Sequence, residues 1–197
     1  FLEHKIFAMP DGNDGFQLFT KLGADANAMT GYSQTSYLFT ATDHVEEALM
    51  HLLHMLDTTH FTEENVNSER QIIAEEIKMY LDDPNTVMHN QLMEHMYTKH
   101  PIRYDIGGTL DSIMDITHET LLDVYETFYQ PSNRLIVIAG KVDLKALNAY
   151  FKAYDEKYPV KHPKPKVILP KEPQRVSTKY HVEVKDLAIS KLMIGFK

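Results

Sequence analysis

Glu3 and His4 stand side by side in the opening Phe-Leu-Glu-His-Lys of this 197-residue chain. A carboxylate can take up a proton during catalysis, and an imidazole can carry a proton or bind a metal. On a helix His4 shares a face with the position four before it, the residue that would directly precede Phe1. By itself the dipeptide reads equally as part of a half-buried helix face. The second candidate pair is Glu69 and Glu76, seven residues apart and so two turns along one helical face. Ile73, Ile77 and Tyr80 make the neighbouring stripe apolar, and a carboxylate beside apolar surface is costly unless it is paired, protonated or metal-bound. The plain alternative is a solvated acidic face, because Glu63, Glu64 and Glu75 crowd the same segment. His51 and His54, at i and i+3, imitate a metal pair. The leucines carry the apolar stripe of that helix, so both read as surface histidines, as do His89, His95 and His100.

Composition narrows the chemistry. Asp and Glu number 28 against 20 Lys and Arg, a formal net charge of −8 without a basic stripe, which argues against nucleic acid as a partner. The absence of cysteine removes disulfides, thiolate zinc sites, iron–sulfur clusters and a thiol nucleophile together, and fits a reducing, cytoplasmic setting. Any metal must use carboxylates and the 11 histidines. At 43% hydrophobic and 24% charged the chain is of globular composition. No apolar run reaches the roughly 18 residues of a spanning helix, so no membrane role is expected.

The elements that must position these residues are legible from periodicity and capping. Residues 1–7 read as the tail of a helix already under way, and a short helix over about 14–22 stops at Gly23. Segments 24–31 and 34–41 alternate around Gly31-Tyr32-Ser33, predicting a β-hairpin. Asp43 is the expected cap of a helix over about 44–57, and Thr62 of one over about 63–81. Helical character resumes after Asp82-Asp83-Pro84 to about Tyr97. Helices are expected again over about 118–129 and 143–157. Leu135 to Ala139 is β-branched-rich and predicts a strand buried on both faces. Residues 159–174 form a Pro-rich linker, and 178–185 and 189–197 read as strands. Both ends read as cut within an element.

The order of these stretches resembles a family. Phe-Leu-Glu-His is similar to the end of the inverted zinc motif His-x-x-Glu-His of the pitrilysin-like (M16) metallopeptidases. Gly23-Ala24-Asp25-Ala26-Asn27-Ala28-Met29-Thr30 is similar to the family's Gly-Ala-x-x-Asn-Ala-x-Thr strand, and Gln34-Thr35-Ser36-Tyr37 to the strand after it. Glu69 to Ile77 resembles the helix with two glutamates seven apart. The blocks His100-Pro101 to Thr109 and Tyr129 to Gly140 follow in order. The nearest likeness is to the bacterial processing-protease subgroup. The resemblance spans essentially the whole chain, with an interval of 72 residues from His4 to Glu76.

The resemblance implies an α+β fold with a mainly antiparallel sheet, including the 24–41 hairpin and the 134–139 strand, and helices packed on one face. It implies residues 1–158 as the remainder of a first peptidase domain and 175–197 as the start of a similar one. It implies a Zn²⁺ cofactor held by His4, Glu76 and a His directly before Phe1, with Glu3 as general base and Glu69 orienting a ligand or the water. An extended peptide would pair with the 25–30 strand, its scissile bond flanked by Asn27 and Ala28. The implied activity is a zinc metalloendopeptidase acting on unfolded peptides or short polypeptides. A second homologous half or partner subunit would complete the chamber, and residues 1–197 alone would be inactive. The competing expectations are a catalytically inactive family subunit that binds peptides, and a metal-free interaction domain using its acidic helices.

Overall fold

Thr62 starts a 20-residue helix because its hydroxyl accepts the Asn65 N–H at 3.2 Å while the Asn65 side chain accepts the Thr62 N–H at 3.0 Å. This reciprocal pair satisfies two amides that the helix cannot satisfy internally. Local rules of this kind generate most of the regular structure. The computed structural model describes residues 1–160 and 163–197. It divides into two compact units, one of residues 1–117 with 168–197 and one of residues 118–167.

The first unit runs α1 (Leu2–Ile6), α2 (Phe16–Lys21), β1 (Asp25–Thr30), β2 (Thr35–Thr40), α3 (Val45–Asp57), α4 (Glu63–Asp82) and α5 (Pro84–Met96), with short 3₁₀ turns at Pro101–Arg103 and Ser112–Asp115. Helix α2 ends where Gly23 takes φ +68°. Gly23 N–H and Ala24 N–H then return to the carbonyls of Thr20 and Phe19, so the last turn is closed by backbone alone. The hairpin is antiparallel, with Asp25 opposite Thr40, Asn27 opposite Leu38 and Thr30 opposite Thr35. Behind it lies the core, where Ile6, Phe19, Ala48, Leu53, Met55 and Val66 are buried. Phe19 meets the Phe39 ring at 5.7 Å, and burial of one such side chain contributes about 1.5–3 kcal/mol.

The second unit holds α6 (His118–Phe128), a turn at Pro131–Asn133 and α7 (Leu144–Lys157). Asp143 caps α7, accepting the Lys145 N–H at 2.8 Å and the Ala146 N–H at 3.1 Å. Arg134 donates to the Tyr129 carbonyl at 2.7 Å and to the Tyr154 hydroxyl at 2.9 Å, tying the end of α6 to α7.

The fold is α+β, as expected, but its sheet among the described residues is the two-stranded β1–β2 hairpin. The strand expected at 134–139 does not form: Leu135 is 87% and Val137 79% exposed. A β-branched run satisfies strand propensity, yet a strand needs a neighbour for its N–H and C=O groups, and none pairs with it among the described residues. The same reason removes the strands expected at 178–185 and 189–197. That segment is instead tethered to α5, with Ser177 N–H and Thr178 N–H donating to the His95 carbonyl and Lys197 Nζ to the Met96 carbonyl. The expected linker at 159–174 includes residues 161 and 162, which lie outside the described residues. The Asp43 cap is also corrected. His44, at φ 51°, is the N-cap of α3, and the Asp43 carboxylate reaches only the His44 N–H at 2.8 Å, one residue short of the helix. Among the described residues no helix is long and apolar enough to cross a membrane.

Candidate metal centre

Helix α1 is short, and its position is set by what it packs on. Ile73 and Ile77 of α4 form an apolar cluster with Ile113, and Phe1 seats against it. The i, i+4, i+7, i+8 spacing of Glu69, Ile73, Glu76 and Ile77 puts this seam and its two flanking carboxylates on one face of α4. Where α1 crosses that face, His4 lies between the carboxylates. Its Nδ1 is 3.0 Å from Glu69 Oε1 and its Nε2 is 3.4 Å from Glu76 Oε2. Glu75 is carried away from them, with its side chain 74% exposed and paired to Lys78 Nζ at 2.7 Å.

The electrostatics follow from these contacts. The hydrogen bond to Glu69 raises the His4 pKa against the opposing effect of burial. The same bond lowers the Glu69 pKa, with burial opposing and the Lys5 ammonium, 3.6 Å from Glu69 Oε2, assisting. The charge of Glu76, then burial and a hydrogen bond to that carboxylate, raise the Tyr80 phenol above its ordinary value.

The Glu3 carboxylate accepts a hydrogen bond from the Thr30 hydroxyl at the end of β1. Asn27 and Ala28 lie further back along β1, and Asn27 Oδ1 accepts the Ala28 N–H at 2.8 Å. Among the described residues the far edge of β1 has no strand partner.

The donor set can be tested against zinc. Two ligands at 2.0–2.2 Å from a tetrahedral ion stand about 3.4 Å apart. The His4 Nε2 to Glu76 Oε2 distance of 3.4 Å matches that separation. Glu69 on the opposite nitrogen is the arrangement that holds a ligating imidazole as its Nδ1–H form, leaving the Nε2 lone pair free. His4 and Glu76 therefore fit as two zinc ligands. No group of three metal-capable side chains gathers anywhere among the described residues, so the pair needs a further donor.

The other histidines do not join this site. His51, expected at the surface, is half-buried: its Nε2 is 2.7 Å from the Gly15 carbonyl and its ring meets Phe19 edge-on at 4.9 Å. His54 bonds Thr58, His95 bonds the Gln91 carbonyl, and His100 Nδ1 accepts the Ile102 N–H. Three residues at the site escaped the sequence reading of roles. Thr30 closes the Asn-Ala-x-Thr stretch, which could have flagged it, and Tyr80 continues the Glu76 face by one turn. Lys5 gave no signal, because lysine ordinarily stays in water.

Comparison with known proteins decides the family. The family model described as "Insulinase (Peptidase family M16)" matches residues 1–110. The chain belongs to the M16 peptidase family. A second M16 model, "Peptidase M16 inactive domain", matches residues 115–197. An M16 relative from Bacillus subtilis (strain 168), "Uncharacterized zinc protease YmfH", is 48% identical over 147 residues, covering 75% of this chain and 34% of the relative. The solved structure of an M16-like peptidase from Alicyclobacillus acidocaldarius aligns with TM-score 0.83 and 38% identity, over 90% of this chain and 42% of that one. The first half of the periplasmic protease PqqL from Escherichia coli aligns with TM-score 0.74 over 86% of this chain and 38% of that one; at 22% identity it speaks for the fold alone. The chain thus spans less than half the length of the proteins it matches here.

Proposed function

We propose that this chain carries part of the active centre of a zinc-dependent metalloendopeptidase that hydrolyses unfolded peptides or short polypeptides. The observation that carries the reading is His4 held between Glu69 at 3.0 Å and Glu76 at 3.4 Å, in a chain of the M16 family. In this reading His4 Nε2 and Glu76 Oε2 are two of the ligands, and a His directly before Phe1 is the third. When bound, zinc supplies the Lewis acidity that makes water a nucleophile near neutral pH. Glu3 takes the proton of the attacking water and delivers it to the leaving amine. The Thr30 hydroxyl holds the Glu3 carboxylate in place and couples it to β1. The open edge of β1 binds substrate as an added strand through main-chain hydrogen bonds, which are indifferent to sequence. Asn27 and Ala28 flank the scissile bond in that pose, after Asn27 releases the Ala28 N–H that it now occupies.

We assign residues 1–158 to the first peptidase domain and 175–197 to the beginning of a similar one. A second half or partner subunit closes the chamber, so that 1–197 alone is inactive. One observation favours a second reading, a catalytically inactive M16 subunit that binds peptides: the match of residues 115–197 to a domain described as inactive. Retention of Glu3, His4 and Glu76 together favours the enzyme.

The deciding experiment measures zinc content and cleavage of a quenched fluorescent peptide by the natural-length protein with its partner half, and by its Glu3→Gln variant. Stoichiometric zinc in both, with cleavage lost only in the variant, supports the peptidase. Zinc without cleavage in either favours the inactive subunit. Undiminished cleavage by Glu3→Gln refutes the role of Glu3.

A further inference from the structure

Lys5 is buried, at 3% exposure, on a helix of five residues whose neighbouring positions carry the proposed general base and ligand. Removing an ammonium from water costs several kcal/mol unless an opposite charge meets it. Here the opposite charge is Glu69, whose Oε2 lies 3.6 Å from Lys5 Nζ. The other oxygen of the same carboxylate faces His4 Nδ1 at 3.0 Å. One carboxylate of α4 is thus gripped at both oxygens by two adjacent residues of α1. A carboxylate held at one oxygen can swing about its terminal bond; held at both, it has one orientation. That orientation aims Glu69 at Nδ1 and leaves His4 Nε2 facing Glu76 at 3.4 Å.

We propose that Lys5 is a positioning residue of the metal centre, acting through Glu69 to fix the His4 ring for zinc. This rests on the zinc reading of the same site and adds a residue to it. The ion pair of Lys5 is with Glu69, so its effect on the His4 ring passes through that carboxylate. A staple that merely joined α1 to α4 would affect folding stability and leave metal affinity alone.

The test is a competitive-chelator titration of zinc Kd in the natural-length protein and in Lys5→Met, Glu69→Gln and the double variant. Outer partners of a ligating histidine typically govern about 10–100-fold in metal affinity. Lys5→Met is expected to weaken zinc binding about tenfold or more in the otherwise native protein, and to have no further effect once Glu69→Gln is present. Histidine ¹⁵N spectra of the metal-free protein give a second readout, with His4 held as Nδ1–H in the native protein and drifting to a tautomer mixture in Lys5→Met. Should Lys5→Met fail to fold, Lys5→Gln carries the same expectations. An unchanged Kd in a folded variant, or losses that multiply in the double variant, overturns the proposal while native zinc binding keeps the centre itself. Failure of the native protein to bind zinc overturns both.

Discussion

Replacing Glu76 and its neighbour Glu75 by glutamine, one at a time, probes the register of α4 at the proposed metal centre. The two side chains differ by one position in sequence and by their whole environment in space. Glu76 Oε2 sits 3.4 Å from His4 Nε2, at the separation of two ligands on one tetrahedral ion. Glu75 points to solvent and pairs with Lys78 at 2.7 Å. Structural zinc in small domains is held by about 10–16 kcal/mol over four ligands, or roughly 2.5–4 kcal/mol for each. An amide oxygen keeps part of that, so Glu76→Gln should cost on the order of 3 kcal/mol, about a hundredfold in zinc Kd. Glu75→Gln removes an exposed i, i+3 ion pair worth about 0.2–0.5 kcal/mol to the helix and should leave Kd unchanged. Competitive titration with a chromophoric chelator, on natural-length protein, resolves a hundredfold change easily. Equal losses from both variants, or a loss from Glu75→Gln alone, would refute the register and with it the assignment of Glu76.

Glu3→Gln should lower peptide cleavage by roughly 10²–10⁴ while zinc content holds, because glutamine keeps the shape and loses the basicity; a parallel fall in zinc would recast Glu3 as a structural residue. Thr62→Ala deletes one half of the capping box and should destabilise the protein by about 1 kcal/mol, read as a lower urea midpoint; an unchanged midpoint would show that α4 does not depend on its cap. Glu172 has a pKa of about 2: burial opposes its ionisation, but Lys197 and the N–H groups of Thr98, Lys99 and His100 outweigh it. Its folded pKa is lower than its ordinary 4.5, so its contribution is complete above about 4.5 and disappears as pH falls towards about 2. Glu172→Gln should therefore flatten the acid limb of Tm against pH in that window, and parallel curves for both proteins would exclude the carboxylate as its source.

The helices were written into the chain locally. Thr62 with Asn65, Asp143 before α7 and the left-handed Gly23 after α2 act on amides within a few residues, so their effect is independent of the rest of the fold. The hairpin followed from alternation around Gly31, and the seven-residue spacing of Glu69 and Glu76 already placed both on one face of α4. Tertiary structure alone decided what meets that face. His4 reaches α4 across 65 residues to Glu69, a convergence set by packing of the half-buried Phe1 against Ile73 and Ile77 rather than by any local preference. Packing also turned Lys5 inward, against the habit of its residue type, and brought Thr30 to Glu3. Strand pairing obeys the same division. The run from Leu135 to Ala139 has the composition of a strand, but composition cannot supply the neighbouring backbone whose N–H and C=O groups make it one.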